Sequence, residues 1–191
     1  MTDDTLRVSR RGAVLLMELN RPDRRNAVDQ ALAESLSAAM RRLEDEDGLR
    51  VGILTGAGGY FSAGTDLASE TGPRTPDGGE YGFVRRSRTR PLIAAVEGFA
   101  LGGGMEMVLA CDLVVAARDA TFGLPETQRG LVAICGGLFR TAEKLTPAIA
   151  TELLLTGTRL DATRAFEVGL VNRLAAPGEA AEAALDLAAE I

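Results

Sequence analysis

Glu106 is the only charged residue ahead of Asp112 in residues 98–112, which read GFALGGGMEMVLACD. A glycine run opens an apolar helical segment, and a carboxylate follows one turn later. Burying an ionised carboxyl costs several kcal/mol unless something pairs with it. Glu106 therefore needs either an arginine from elsewhere in the fold or a ligand whose chemistry uses an acid. The glycines suit the second option, because amide N–H groups without neighbouring side chains can approach an anion or a polarised oxygen at a helix start. A second stretch, GGYFSAGTDL (residues 58–67), offers another bare amide near Gly64 and Thr65. Two main-chain amides converging on one oxygen make an oxyanion hole; standing alone, the second stretch reads as a glycine-rich surface turn.

Other chemistries are excluded by what is missing. The chain has no histidine, which removes Ser-His-Asp and Cys-His triads, histidine metal sites and the commonest neutral-pH base. Proton transfers must fall to Glu, Asp, Tyr, Cys, the single Lys144 or bound water. No lysine follows the glycines as a phosphate loop requires, and the dinucleotide pattern does not fit after Val96. Cys111 and Cys135 have neither metal-ligand spacing nor a recognisable secretory context, and both read as buried small hydrophobes. A net charge of -6 over 191 residues argues against broad nucleic-acid binding, and no apolar run is long enough to span a membrane. A soluble cytoplasmic protein is the expectation.

The elements that would hold these residues alternate. Strands are expected at 5–10 and 13–19 around Gly12, then a helix capped by Asp29 and running to about Glu46. VGILT (51–55) is a short buried-type strand, and residues 68–79 form a polar, mobile loop. Residues 80–90 are expected to form a helix stopped by Pro91. A strand at 92–98 leads into the glycine run and a helix to about Cys111, and LVVAA (113–117) and ATFGLPE give two more strands. Helices are expected at 136–145 and 147–155, another after Asp161, a strand at GLVNRL, and a last helix from Glu179. Several strands come in pairs before a helix, which suggests β-β-α turns rather than a strict βαβ array. There is no interdomain linker, so 1–191 reads as one core domain.

NRPDRRNA, FSAGTDL, GFALGGGMEMVLACDLVVAA, TFGLPE and the GLVN segment, in this order and spacing, together resemble the crotonase (enoyl-CoA hydratase/isomerase) superfamily from about Leu6 onward. The resemblance implies an α/β spiral of β-β-α repeats, with residues 146–191 beginning an incomplete C-terminal helical region. It implies an acyl-CoA thioester substrate, a homotrimer or dimer of trimers, and no metal or redox cofactor, coenzyme A being part of the substrate. By motif position the oxyanion-hole amides are those of Thr65 and Gly103, and the catalytic carboxylates are Glu106 and Glu126. Arg25, Ala63, Asp66 and Leu67 fall where the family binds CoA; Arg24 and Arg25 read equally well as exposed loop arginines. Residues 85–90 (RRSRTR) could meet the CoA 3′-phosphate, although a solvated helix face is the plainer reading. Tyr60 and Tyr81 carry no assignable role. Ile134 and Cys135 replace small residues of many family hydratases, which bears on the shape of the acyl pocket. The leading expectation is a 2-enoyl-CoA hydratase; a double-bond isomerase and a non-catalytic acyl-CoA-binding subunit are the alternatives, and a peptidase on a related spiral is disfavoured by the lack of histidine.

Overall fold

The computed structural model describes residues 5–69 and 72–191, so part of the loop expected to be mobile lies outside the described residues. The chain opens with an antiparallel hairpin of β1 (Leu6–Arg11) and β2 (Val14–Leu19), Leu6 opposite Leu19. In α1 (Gln30–Asp45) the Asp29 side chain accepts the Leu32 amide, an N-cap of about 1 kcal/mol. Leu32, Leu36, Met40 and Leu43 form its buried stripe. β3 (Val51–Gly56) lies parallel to β2. A two-residue ribbon, β4 (Arg74–Thr75) and β5 (Gly79–Glu80), follows within the polar loop.

The helix expected over residues 80–90 does not form. Tyr81 (φ +53°) and Gly82 (φ +80°) adopt left-handed conformations that a right-handed helix cannot contain. The arginines after them diverge rather than sharing a wet face. Arg85 pairs with Glu80, Arg86 donates to Ser37, Arg88 to Asp112, and Arg90 to the main-chain carbonyls of Leu43 and Glu46. All the arginines of the RRSRTR segment named here are thus engaged within the protein, and Arg86 and Arg88 are largely buried.

The spiral is clearest in the middle of the chain. β6 (Leu92–Val96) enters the large sheet, and β7 (Phe99–Leu101) then joins a smaller one before α2 (Gly103–Ala110). β8 (Leu113–Ala117) and β9 (Thr121–Gly123) repeat that step. α3 (Gly137–Lys144), α4 (Pro147–Thr156), β10 (Arg159–Asp161), α5 (Ala162–Glu167), β11 (Arg173–Ala175) and α6 (Ala180–Ala188) complete the chain. The large sheet runs β1-β2-β3-β6-β8-β11 and the small one β10-β9-β7. Two strands, one per sheet, followed by a helix are the expected β-β-α turn. Residues 146–191 are not purely helical, since β10 and β11 return one strand to each sheet.

LIAAV is apolar throughout because both faces of β6 are covered. Leu92, Ala94 and Val96 point into the main core beside α1 and α2, while Ile93 and Ala95 meet Ala180, Ala184 and Leu187 of α6. Each such leucine contributes about 2 kcal/mol on burial. Glu97, just past β6, accepts the Gly178 and Ala180 amides and so ties the start of α6 to the end of the strand.

Candidate active site

Three successive turns of the spiral end side by side. Ser62 bridges Ala100, and Leu101 stands opposite Gly123 in the small sheet. Leu101 N donates to Ser62 O and Gly102 N to Gly123 O, each at 3.0 Å or less. Just beyond these rungs lie Thr65, Gly103 and Glu126. Strand register thus brings together residues far apart in sequence.

Each glycine of the run has its own reason to lack a side chain. Gly102 turns the chain at φ +55°, and a Cβ there would stand 3.3 Å from Glu126 Oε1. A Cβ on Gly103 would lie 2.1 Å from the Tyr81 hydroxyl, and one on Gly104 would lie 2.2 Å from Ser62 O. Gly64 presses on the same place: a Cβ on it would be 2.6 Å from Gly103 N. The Thr65 and Gly103 amides therefore sit in adjoining main chain, and among the described residues neither has a protein acceptor. No side chain caps α2, so its N-terminal amides and positive dipole end face this space.

Glu106 is 2% exposed. Among the described residues no arginine or lysine pairs with it. Its Oε1 accepts the Gly137 amide at 3.0 Å, and the Tyr81 hydroxyl approaches Oε2 at 3.4 Å. Burial pushes its carboxyl above the ordinary 4.5, the Glu126 charge adds to that rise, and the Gly137 amide opposes it. Glu126 begins the 3-10 turn Pro125–Arg129 that follows β9. Its carboxyl is also pushed up by burial, with Arg129 pulling back, and its buried Oε2 has no protein partner among the described residues. Buried polar atoms are nearly always paired, so an unpaired carboxylate oxygen marks a place for a ligand. Burial thus raises both carboxyls, and the Glu126 charge adds to the rise on Glu106.

Two residues of this site were not assigned by the sequence. Tyr81 is fully buried with its hydroxyl 2.9 Å from Thr65 Oγ1, and burial with the neighbouring Glu106 charge keeps the phenol protonated. The glycine-dense GGEYG around it is the one local signal, since it argues against the helix and for a tight turn. Cys135 is half-buried beside Tyr81 and Glu106, and its thiol is pushed up to about 11. It packs against the main core while bordering the site, and is only partly buried, whereas Cys111 is buried as expected. Ile134 is 69% exposed and turns away. Tyr60 stacks on Phe99 at 5.1 Å outside the site.

The residues expected to meet CoA lie on one edge. Arg25 is exposed, and its carbonyl accepts the Ala63 amide at 3.0 Å. Ala63 is exposed and Leu67 is 77% exposed on the same loop. The Asp66 carboxylate is already engaged: it accepts the Ala68 amide and pairs with Arg21 at 3.0 Å, which hold it below the usual range. These contacts tie the loop to Arg21. Among the described residues no cluster of three or more histidine, cysteine or acidic side chains is arranged for a metal, and no helix is long and apolar enough to cross a membrane. A groove of about 600 Å³ at the far end of α2 is lined by Arg86, Arg88, Arg90, Arg140 and Lys144 and includes none of these site residues.

Comparison with known proteins gives the chain's family. Residues 9–191 match the family model described as Enoyl-CoA hydratase/isomerase. A carnitinyl-CoA dehydratase of Proteus mirabilis is 38% identical over 98% of this chain and 74% of its own length. An enoyl-CoA hydratase of Mycobacterium tuberculosis superposes with a TM-score of 0.95 at 50% identity, over 99% of this chain and 76% of that one. A carnitinyl-CoA hydratase of Mycobacterium avium gives 0.95 at 42% identity, over 100% and 76%. The chain thus spans about three quarters of the length of these relatives. With its spiral of paired strands, and on these matches, it belongs to the enoyl-CoA hydratase/isomerase family of the crotonase superfamily and is an enzyme of the hydratase type.

Proposed function

We propose that the chain adds water across the 2,3 double bond of a 2-enoyl-CoA thioester and catalyses the reverse dehydration. The names of its relatives, hydratase and dehydratase, describe one chemistry in two directions. The observation that carries the reading is the apposition of Gly64 and Gly103 between two carboxyl groups, one with an unpaired buried oxygen.

The conjugated thioester explains the parts. Attack of water at C3 moves electron density through C2 to the thioester oxygen, which the Thr65 and Gly103 amides receive. One such donor contributes about 2.7–4 kcal/mol to the transition state. Glu106 in its ionised form takes a proton from the attacking water, and protonated Glu126 delivers one to C2; the reverse transfers expel water. No step calls on a metal or redox group. Arg25 and the exposed edge of Ala63 and Leu67 receive the CoA, Asp66 fixing the loop between them.

The test is loss of the conjugated-thioester absorbance with a short 2-enoyl-CoA. Glu106→Gln and Glu126→Gln should each lower kcat by about 10²–10⁴-fold. Turnover surviving both substitutions would overturn the reading. Double-bond migration without hydration would instead indicate an isomerase.

A further inference from the structure

The Tyr81 hydroxyl lies between the two halves of the site, 2.9 Å from Thr65 Oγ1 and 3.4 Å from Glu106 Oε2. Three independent features make this more than packing. Tyr81 holds a left-handed backbone at φ +53°, a conformation that costs a bulky residue energy and persists where surrounding structure enforces it. Its amide is tied to the Pro73 carbonyl at 2.9 Å, which fixes the strained residue in place. The hydroxyl also fills the space beside Gly103 that any larger residue there would occupy. A buried tyrosine could satisfy its hydroxyl on any carbonyl. This one reaches the side chain of one site residue and the carboxylate of another.

We propose that Tyr81 is a positioning residue that sets the orientation and proton affinity of Glu106. This rests on the hydratase reading for its consequence in catalysis, but not for its effect on the carboxyl. Glu106 has two oxygens to orient: Gly137 N holds Oε1, the Cys135 main chain also bonds to the carboxyl, and the Tyr81 hydroxyl faces Oε2. Tyr81 directs its hydroxyl proton to Oε2 and takes the Thr65 hydroxyl proton in turn, so the carboxylate plane is fixed relative to the Thr65 main chain. The titratable groups facing Glu106 are Tyr81 from the turn after β5, Cys135 ahead of α3 and Glu126 from the turn after β9. Of these, Tyr81 donates to Oε2 and the Cys135 thiol also bonds to the carboxyl, both favouring its ionised form, while the Glu126 charge disfavours it.

Tyr81→Phe keeps the buried ring and removes only the hydroxyl. Losing a donor to the carboxylate raises the Glu106 pKa, so the acid limb of the kcat/KM profile should move to higher pH by about half to one unit. kcat at the optimum should fall more than KM changes. An infrared titration of the protonated carboxyl band, with Glu106→Gln as the blank that lacks it, should show the same upward shift without any turnover. An unmoved band and an unmoved acid limb would overturn the proposal. A moved band in a protein that hydrates no enoyl-CoA would leave Tyr81 as the positioning residue and refute the hydratase reading alone.

Discussion

The two ends of α2 both gather charged side chains and treat them in opposite ways. At the C-terminal end, Arg88 donates to Ala110 O and Asp112, Lys144 to Cys111 O and Arg140 to Val84 O. These cations meet carbonyls left over by the helix end and its neighbours, where a positive charge suits the dipole. Single nitrogens of Arg86, Arg88 and Arg140 have no partner among the described residues, yet each of these guanidinium groups is anchored through another nitrogen. At the N-terminal end the polarity is reversed. Two carboxyl groups raised by burial lie near adjoining amides that have no acceptor among the described residues, and the buried Oε2 of Glu126 has no partner among them. The lesson is that charge density alone does not locate a reactive site. The groove at the C-terminal end is explained by capping, whereas the N-terminal end leaves acceptors and donors that no described residue satisfies.

Substitutions at each end sharpen that contrast. The largest effect is expected from Gly103→Ala, because the new methyl would collide with the Tyr81 hydroxyl and displace one amide. Steady-state hydration should fall by at least about 10²-fold, the loss typical of an oxyanion donor. A variant with near-parental rates would contradict the placement of that amide. At the other end, Lys144→Met should lower stability by about 1 kcal/mol through loss of its bond to Cys111 O. Urea denaturation would measure this, and kcat/KM should stay at the parental value; a marked loss of kcat/KM would merge the two ends into one functional unit.

The smallest effect concerns stability against pH. The folded pKa of Glu106 is raised above 4.5, so folding favours the protonated form; the cost of ionising it sets in above 4.5, grows up to the raised value and stays constant beyond it. Glu106→Gln removes that cost while keeping an acceptor for Gly137 N. Its urea midpoint should exceed the parent's at pH 8, and the advantage should shrink as pH falls towards 4.5. A constant difference across that range would show that burial of the charge is not the cause.

Much of this was legible in the chain itself. The glycine run and Glu106 announce chemistry because glycine and a carboxylate in an apolar segment are costly wherever nothing uses them, whereas Glu126 came only with the family resemblance. The Asp29 and Asp161 caps stand one residue ahead of the helices they start. What stayed hidden depends on distant contacts. β7 and β10 have three residues each, too few for a periodic pattern, and exist because β9 lies between them. Tyr81 enters the site through a left-handed turn, and Cys135 through the approach of α3 to α2, neither of which hydrophobic spacing encodes. The arginines of residues 85–90 look like a helix face until their acceptors, scattered over α1, Glu80 and Asp112, are in view.

The most direct measurement is the vibrational spectrum of a short 2-enoyl-CoA, labelled at the thioester carbonyl and bound to the Glu106→Gln protein, which retains both amides but should not turn it over. Donation from Thr65 and Gly103 should lower the carbonyl stretch below its value in water. A bound thioester whose carbonyl vibrates as it does in water would mean that the two amides do not meet the oxygen, and the hydration chemistry assigned to this site would be wrong.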